Sequence, residues 1–341
     1  MAWQWWDGFD KRMCGKWQSD EKTQRVFLNI EYDEKCVNVN FSYALAYFDN
    51  SAFYVESSHD ALYFFHNDRE WRMEYILTFD ENDESGDKLK CRRIQKRNNE
   101  DIEIEFTRLS EEDEEKYKYL IAPKDVSKIE ILKEYAEYGD IKSGANFEFK
   151  FDERENMLDI IEKYDLDELV KGKNDIETAI TLMHWFCKLY RHGNPPGRWE
   201  AATPQAIMEY ADKNAGRINC RCLSLVLSQL IRAYNIKAFH VTCSPYEQPF
   251  NDCHVVVCVY CEGLGKYIML DPSANLYLKN KAGEMIGVEE LRDILIADGE
   301  LYANAESTNW GGEGSMADLG GYRDYMAKNL IRIERYNISG Y

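Results

Sequence analysis

The hydrophobic periodicity of this chain changes once along its length, and that change limits the folds open to it. Val26, Leu28, Ile30 and Tyr32 alternate with polar residues; so do Val37, Val39 and Phe41, then Trp71, Met73, Tyr75, Leu77 and Phe79, then Ile102, Ile104 and Phe106. Successive side chains on a strand face opposite ways, so a period of two marks strands with one buried face. Between these runs lie Asp49-Asn50-Ser51, Asn67-Asp68 and Asp83-Glu84-Ser85-Gly86-Asp87, all turn-forming. Seven or eight short strands at this spacing predict an antiparallel β-barrel or β-sandwich, filling a first module over residues 1–109.

Beyond it the period becomes helical. Residues 110–118 form a charged run, read as a solvated helix or linker that opens a connecting segment over 110–150. Helical patterns follow over 126–138 and 153–164. A longer amphipathic helix over 175–190 carries Ile176, Ala179, Ile180, Met183 and Phe186 or Cys187 on one face, with Asn174 as its N-cap. His192-Gly193-Asn194-Pro195-Pro196-Gly197 ends it. Thr203-Pro204 opens a short helix to about Lys213, a capping Thr with Pro at the first helical position. Residues 151–341 thus make a second, α+β domain, in which 311–321 is a glycine-rich loop before an amphipathic segment around Tyr325–Ile333.

The net charge of −19 argues against a nucleic-acid partner, and no apolar run reaches membrane-spanning length. The N-terminus, Met1-Ala2-Trp3-Gln4-Trp5-Trp6-Asp7, lacks the basic and apolar regions of a leader, so the expected location is cytoplasmic. There the ten cysteines stay reduced, most of them as small buried hydrophobes. Cys258-Val259-Tyr260-Cys261 spells a zinc-type CxxC, but on a strand an offset of three sends the two side chains to opposite faces. Cys220 and Cys222 diverge by about 200° at a helix start. No metal is expected.

The residues that could carry chemistry lie between 219 and 272. From Cys220 to Tyr234 the sequence is helical and apolar nearly all round, the mark of an enclosed helix. Asn219 can cap it, which sets Cys220 in the first turn, where the helix dipole favours a thiolate and free N–H groups could hold an oxyanion. Strand-like runs follow at 236–243, 254–261 and 267–270. His254 opens the second of these and Asp271 ends the third. If Gly263-Leu264-Gly265 turns the chain and these two strands pair antiparallel, Asp271 can hold one ring nitrogen of His254 while the other faces Cys220. His184 is read as a packing or surface residue, and His192 as a loop residue at the rim of the cleft.

The run Cys220…Leu230-Ile231-Arg232-Ala233-Tyr234-Asn235-Ile236-Lys237-Ala238-Phe239-His240-Val241, with His254 and Asp271-Pro272, resembles the transglutaminase-like superfamily of papain-like cysteine enzymes over about residues 174–280. In that family the nucleophile precedes the Arg of the LLRA element by twelve residues. Here that Arg is Arg232, so the resemblance points to Cys220 and leaves Cys222 structural. It implies a papain-like domain with Cys220, His254 and Asp271 as a triad, and no cofactor. An upstream aromatic residue completes the family's oxyanion hole, a place Trp199 fills in order though nearer to Cys220. Asn235 and Lys237 depart from the family's Gly and Pro, and Phe239 and His240 from its Ala-Arg pattern. At the other end of the chain, Gly15-Lys16-Trp17 resembles the opening of lipocalin-like barrels.

The function expected is hydrolysis of an amide or peptide bond through a thioacyl intermediate, with a protein or peptide substrate. Amine transfer by a transglutaminase comes second, because no segment announces an acyl-acceptor site. No acidic loop has EF-hand spacing for calcium. The rival of another class is a binding or scaffold protein with an idle transglutaminase-like domain, which the intact Cys–His–Asp order disfavours. Substrate identity and oligomeric state are not written in the sequence.

Overall fold

A computed structural model describes residues 3–6, 9–20, 26–32, 37–43, 49–51, 54–57, 61–66, 73–95, 99–117, 127–136, 153–195, 203–245, 253–309, 314 and 319–335. The chain divides into two units, one within Met1–Ser127 and the other formed by Lys128–Tyr246 with Cys253–Tyr341.

The first unit is a ten-stranded sheet: β1 (Trp3–Trp6), β2 (Gly15–Ser19), β3 (Val26–Tyr32), β4 (Val37–Tyr43), β5 (Asp49–Ser51), β6 (Tyr54–Ser57), β7 (Leu62–His66), β8 (Met73–Phe79), β9 (Lys88–Gln95) and β10 (Glu100–Arg108). From β6 through β10 and on to β2, β3 and β4, neighbouring strands are antiparallel. These eight curl into a nearly closed barrel whose seam brings β4 near β6. β1 joins β6 in parallel and β5 joins β4. Asp49-Asn50-Ser51, read as a turn, is therefore a short edge strand.

The alternating residues fill the barrel. Trp17, Leu28, Phe41, Phe64, Tyr75 and Phe106 are buried in one core, with Phe64 and Tyr75 stacked at 4.8 Å. Gly15 is required where it stands: its φ is +126°, and a Cβ there would lie 2.6 Å from the Arg108 guanidinium. That guanidinium sits 4.0 Å over the Trp17 ring and donates to the Cys14 carbonyl. β9 escapes a period-two reading because its inward face is Leu89, Cys91 and Arg93. After the barrel, α1 (Glu111–Lys116) takes up the charged run, capped by Ser110 and tied back by Lys16–Glu114 at 2.6 Å.

The second unit is a six-stranded sheet with helices on both faces, a mixed α+β arrangement. Its order is β17 (Tyr302–Ala303), β16 (Leu276–Lys279), β15 (Lys266–Asp271), β14 (His254–Cys261), β13 (Ala238–Ser244) and β18 (Arg332–Glu334). On one face lie α3 (Glu153–Lys163), α4 (Leu166–Val170), α5 (Asp175–Leu189), α6 (Pro204–Lys213) and α7 (Cys220–Arg232). On the other lie α2 (Lys128–Glu134), α8 (Val288–Ile296) and α9 (Gly320–Asn329). β14 feeds both cores: Val257, Val259 and Cys261 face α7, while Val256 and Cys258 face α8 and α9. The CxxC cysteines thus sit in different cores.

The predicted caps are present. Asn174 and Glu177 form a reciprocal capping box on α5, and Thr203 caps α6 with Pro204 at its first position. The segment read as amphipathic around 325–333 is instead the end of α9 followed by β18. The chain leaves the helix because β18 pairs with β13, setting Ile333 opposite Cys243 and satisfying backbone groups at the sheet edge.

Candidate active site

α7 is held rigidly at both ends. Its N-cap Asn219 is extended (φ −76°, ψ 169°), and its side-chain oxygen accepts the Cys222 N–H at 3.0 Å. The N–H groups of Cys220 and Arg221 have no acceptor within the helix by position. Farther along, Ser224 Oγ donates to the Val255 carbonyl at 2.7 Å, which fastens α7 to β14. Arg232, fully buried, donates from Nη1 to the Ala238 carbonyl at 2.8 Å and fixes the start of β13. The Leu-Ile-Arg-Ala element is thus a joint between helix and sheet.

The sheet register places the other two residues. β14 and β15 are antiparallel, Val257 opposite Leu270, joined through Glu262–Leu264 and Gly265 with φ +63°. Continued by one step, that register sets Asp271 across from Val256, one pleat from His254 and on the same face. His254 Nε2 and Asp271 Oδ2 are 2.6 Å apart, and neither side chain is more than 1 % exposed. The Ser273 N–H donates to Asp271 Oδ1 at 2.9 Å. The Cys220 thiol donates to the Cys253 carbonyl at 3.9 Å, and His254 and His192 lie near enough to act on its charge. Of the residues marked out by sequence, His254 and Asp271 are bonded directly, and Cys220 stands at the start of α7 as an electrostatic neighbour of His254.

Two tyrosines join them from α9. Tyr322 donates its hydroxyl to Asp271 Oδ2 at 2.9 Å, and the Tyr325 ring meets the His254 ring edge-on at 5.3 Å. Sequence reasoning missed both: Tyr325 read as the start of an amphipathic segment, and Tyr322 fell between that segment and the glycine-rich loop. His192, read as a loop residue, lies instead in a two-residue strand and acts on the charge of the Cys220 thiol. Trp199 lies outside the described residues. Cys222 is buried in the α7 core, as its assignment to a structural role requires.

Charge is arranged in one direction. Burial raises the Cys220 thiol, but the neighbouring imidazoles of His192 and His254 overcome it and bring its pKa to about 6. Burial also disfavours the His254 cation, yet the Asp271 carboxylate and the Cys220 sulfur raise it to about 10. Asp271, despite burial, is held below the ordinary carboxylate range by His254, the Tyr322 hydroxyl and the Ser273 N–H. The other cysteines behave oppositely: burial pushes Cys222, Cys258 and Cys261 up to about 12 and raises Cys14, Cys187 and Cys243 as well. Both shifts run toward a thiolate beside an imidazolium. Such a sulfur is a nucleophile with a proton donor attached.

Among the described residues no group of three or more His, Cys, Asp or Glu side chains is placed to hold a metal ion. Nor is any described helix long and apolar enough to cross a membrane.

Compared with models of known protein families the chain matches none, and it matches no curated protein. One solved structure is similar at 15 % identity and a TM-score of 0.28, over 70 % of this chain and 76 % of its own: a protein from Cytophaga hutchinsonii provisionally assigned as a cysteine protease. A likeness of that depth carries no argument about this chain.

Proposed function

We propose that the chain is a cysteine hydrolase of the transglutaminase-like, papain-like type, with Cys220 as nucleophile, His254 as acid–base and Asp271 as the group that orients His254. The observation that carries this reading is the buried His254–Asp271 pair, 2.6 Å apart, in a domain that sets Cys220 in the first turn of a helix capped by Asn219.

In the proposed reaction the Cys220 thiolate attacks an amide carbonyl carbon. The C–S bond forms as the carbonyl π pair moves to oxygen, where the Cys220 and Arg221 N–H groups stabilise it together with the helix dipole. Collapse breaks the C–N bond, and His254 gives its proton to the departing amine. Water then attacks the thioester carbon, giving up a proton to His254; collapse breaks the C–S bond, returning the Cys220 thiolate beside the protonated His254, and the acid leaves. Asp271 stays ionised throughout and keeps the ring in place.

The test is an unbiased screen of peptide amides, run with and without an added primary amine. The expected products are free acid and amine, with no incorporation of the added amine, and no turnover in Cys220→Ser. Incorporation of the added amine would convert the reading to acyl transfer. Turnover unaffected by Cys220→Ser would refute it.

A further inference from the structure

The side chain that the hydrolase reading does not use is His192. It lies in the two-residue strand β11 (Arg191–His192), which pairs in parallel with β12 (Arg217–Ile218), His192 opposite Ile218. The ladder is fastened by Arg191 N–H to the Gly216 carbonyl at 2.8 Å and Gly193 N–H to the Ile218 carbonyl at 3.0 Å. Arg217 Nη1 adds a bond to the His192 carbonyl at 3.3 Å.

Paired residues on adjacent strands project to the same face, and so do residues two apart on one extended strand. Asn219 is extended, so Ile218 and Cys220 share the face that His192 occupies. The ladder therefore sets His192 beside the start of α7, where its imidazole acts on the charge of the Cys220 thiol. Gly193 lets the ladder close here, since a Cβ at that position would meet the Arg217 side chain at 3.1 Å.

Resting on the hydrolase reading, we infer that His192 is a second catalytic histidine, the side-chain donor that steadies the Cys220 thiolate and then the oxyanion formed when it attacks a carbonyl. His254 is bound on its far side to Asp271 and moves the proton. His192 is held by a backbone ladder, and its N–H turns from the sulfur to the carbonyl oxygen as negative charge passes from one to the other. A preformed donor of this type acts mainly on the transition state.

Two probes separate the roles. Iodoacetamide alkylates a thiolate by displacing iodide and forms no oxyanion. p-Nitrophenyl acetate acylates the thiolate through a tetrahedral oxyanion and releases p-nitrophenolate. Both rates are measured against pH on the full chain for wild type, His192→Ala, His192→Gln and His254→Ala, with circular dichroism as the check on folding.

In His192→Ala, half-maximal alkylation is expected to move up by about one pH unit or more, since a hydrogen bond to the anion is lost. At a pH where the thiol is fully ionised, acylation should fall at least ~10-fold while alkylation changes little. His192→Gln, which keeps an N–H donor, should recover part of the acylation. If wild-type Cys220 reacts selectively but His192→Ala matches it in both profiles, the inference about His192 fails and the hydrolase reading stands. If wild-type Cys220 is no faster than the other cysteines, both fail.

Discussion

At Cys220, burial and charge oppose each other more sharply than at any other cysteine with a resolved shift. Burial raises Cys222, two residues on, to about 12, while the imidazoles lower Cys220 to about 6. The sign of the pH dependence follows. Cys220 becomes an anion as pH rises through about 6, and His254 loses its proton as pH rises through about 10, so turnover should be bell-shaped between those limits. A rate profile on any substrate found by the screen checks it, and a single ascending limb near the ordinary thiol range would count against it. Tyr322 is testable at the same scale. Tyr322→Phe removes one donor from a buried carboxylate, which should cost about 2 kcal/mol in urea denaturation and slow acylation, because Asp271 then holds His254 less firmly. Unchanged stability and rate would show that this hydroxyl is incidental.

The element that matters most is α7. Eleven of its residues, from Cys222 to Arg232, are buried, so the helix is fixed by packing and the cap then tunes its first turn. Asn219→Ala should cost about 1 kcal/mol of stability and raise the pH of Cys220 alkylation, since an uncapped N-terminus frays and its dipole no longer points at a fixed sulfur. Elements of this kind were legible in the sequence because their signals are local: Asn219 before an apolar helix, Gly265 between two strands, Asn174 and Thr203 at helix starts. The rest was not, for equally physical reasons. β9 buries Arg93 and Cys91 in place of aliphatic residues, and β18 is a strand only because β13 offers an open edge. Tyr322 and Tyr325 reach the site from α9, more than fifty residues beyond His254 in sequence, and nothing local marks a tyrosine hydroxyl as the partner of a distant aspartate. His192 needed the β11–β12 ladder, two residues long and too short for any periodicity to announce.

For the molecule as a whole, each unit carries its own core. The two clusters around the second sheet are drawn entirely from residues beyond 128, and the barrel core entirely from residues before 107. A fragment lacking residues 1–127 should therefore fold and keep selective Cys220 alkylation; loss of cooperative unfolding in that fragment would show that the site depends on the barrel. The central claim, that this fold ionises one cysteine by pairing it with His254, is tested most directly by iodoacetamide labelling as a function of pH, with the modified cysteine mapped by mass spectrometry. The account predicts that Cys220 is labelled first, with half-maximal rate at about pH 6, and that His254→Ala abolishes this advantage. Labelling of Cys220 no faster than that of the other cysteines, with a profile rising only in the ordinary thiol range, would contradict it.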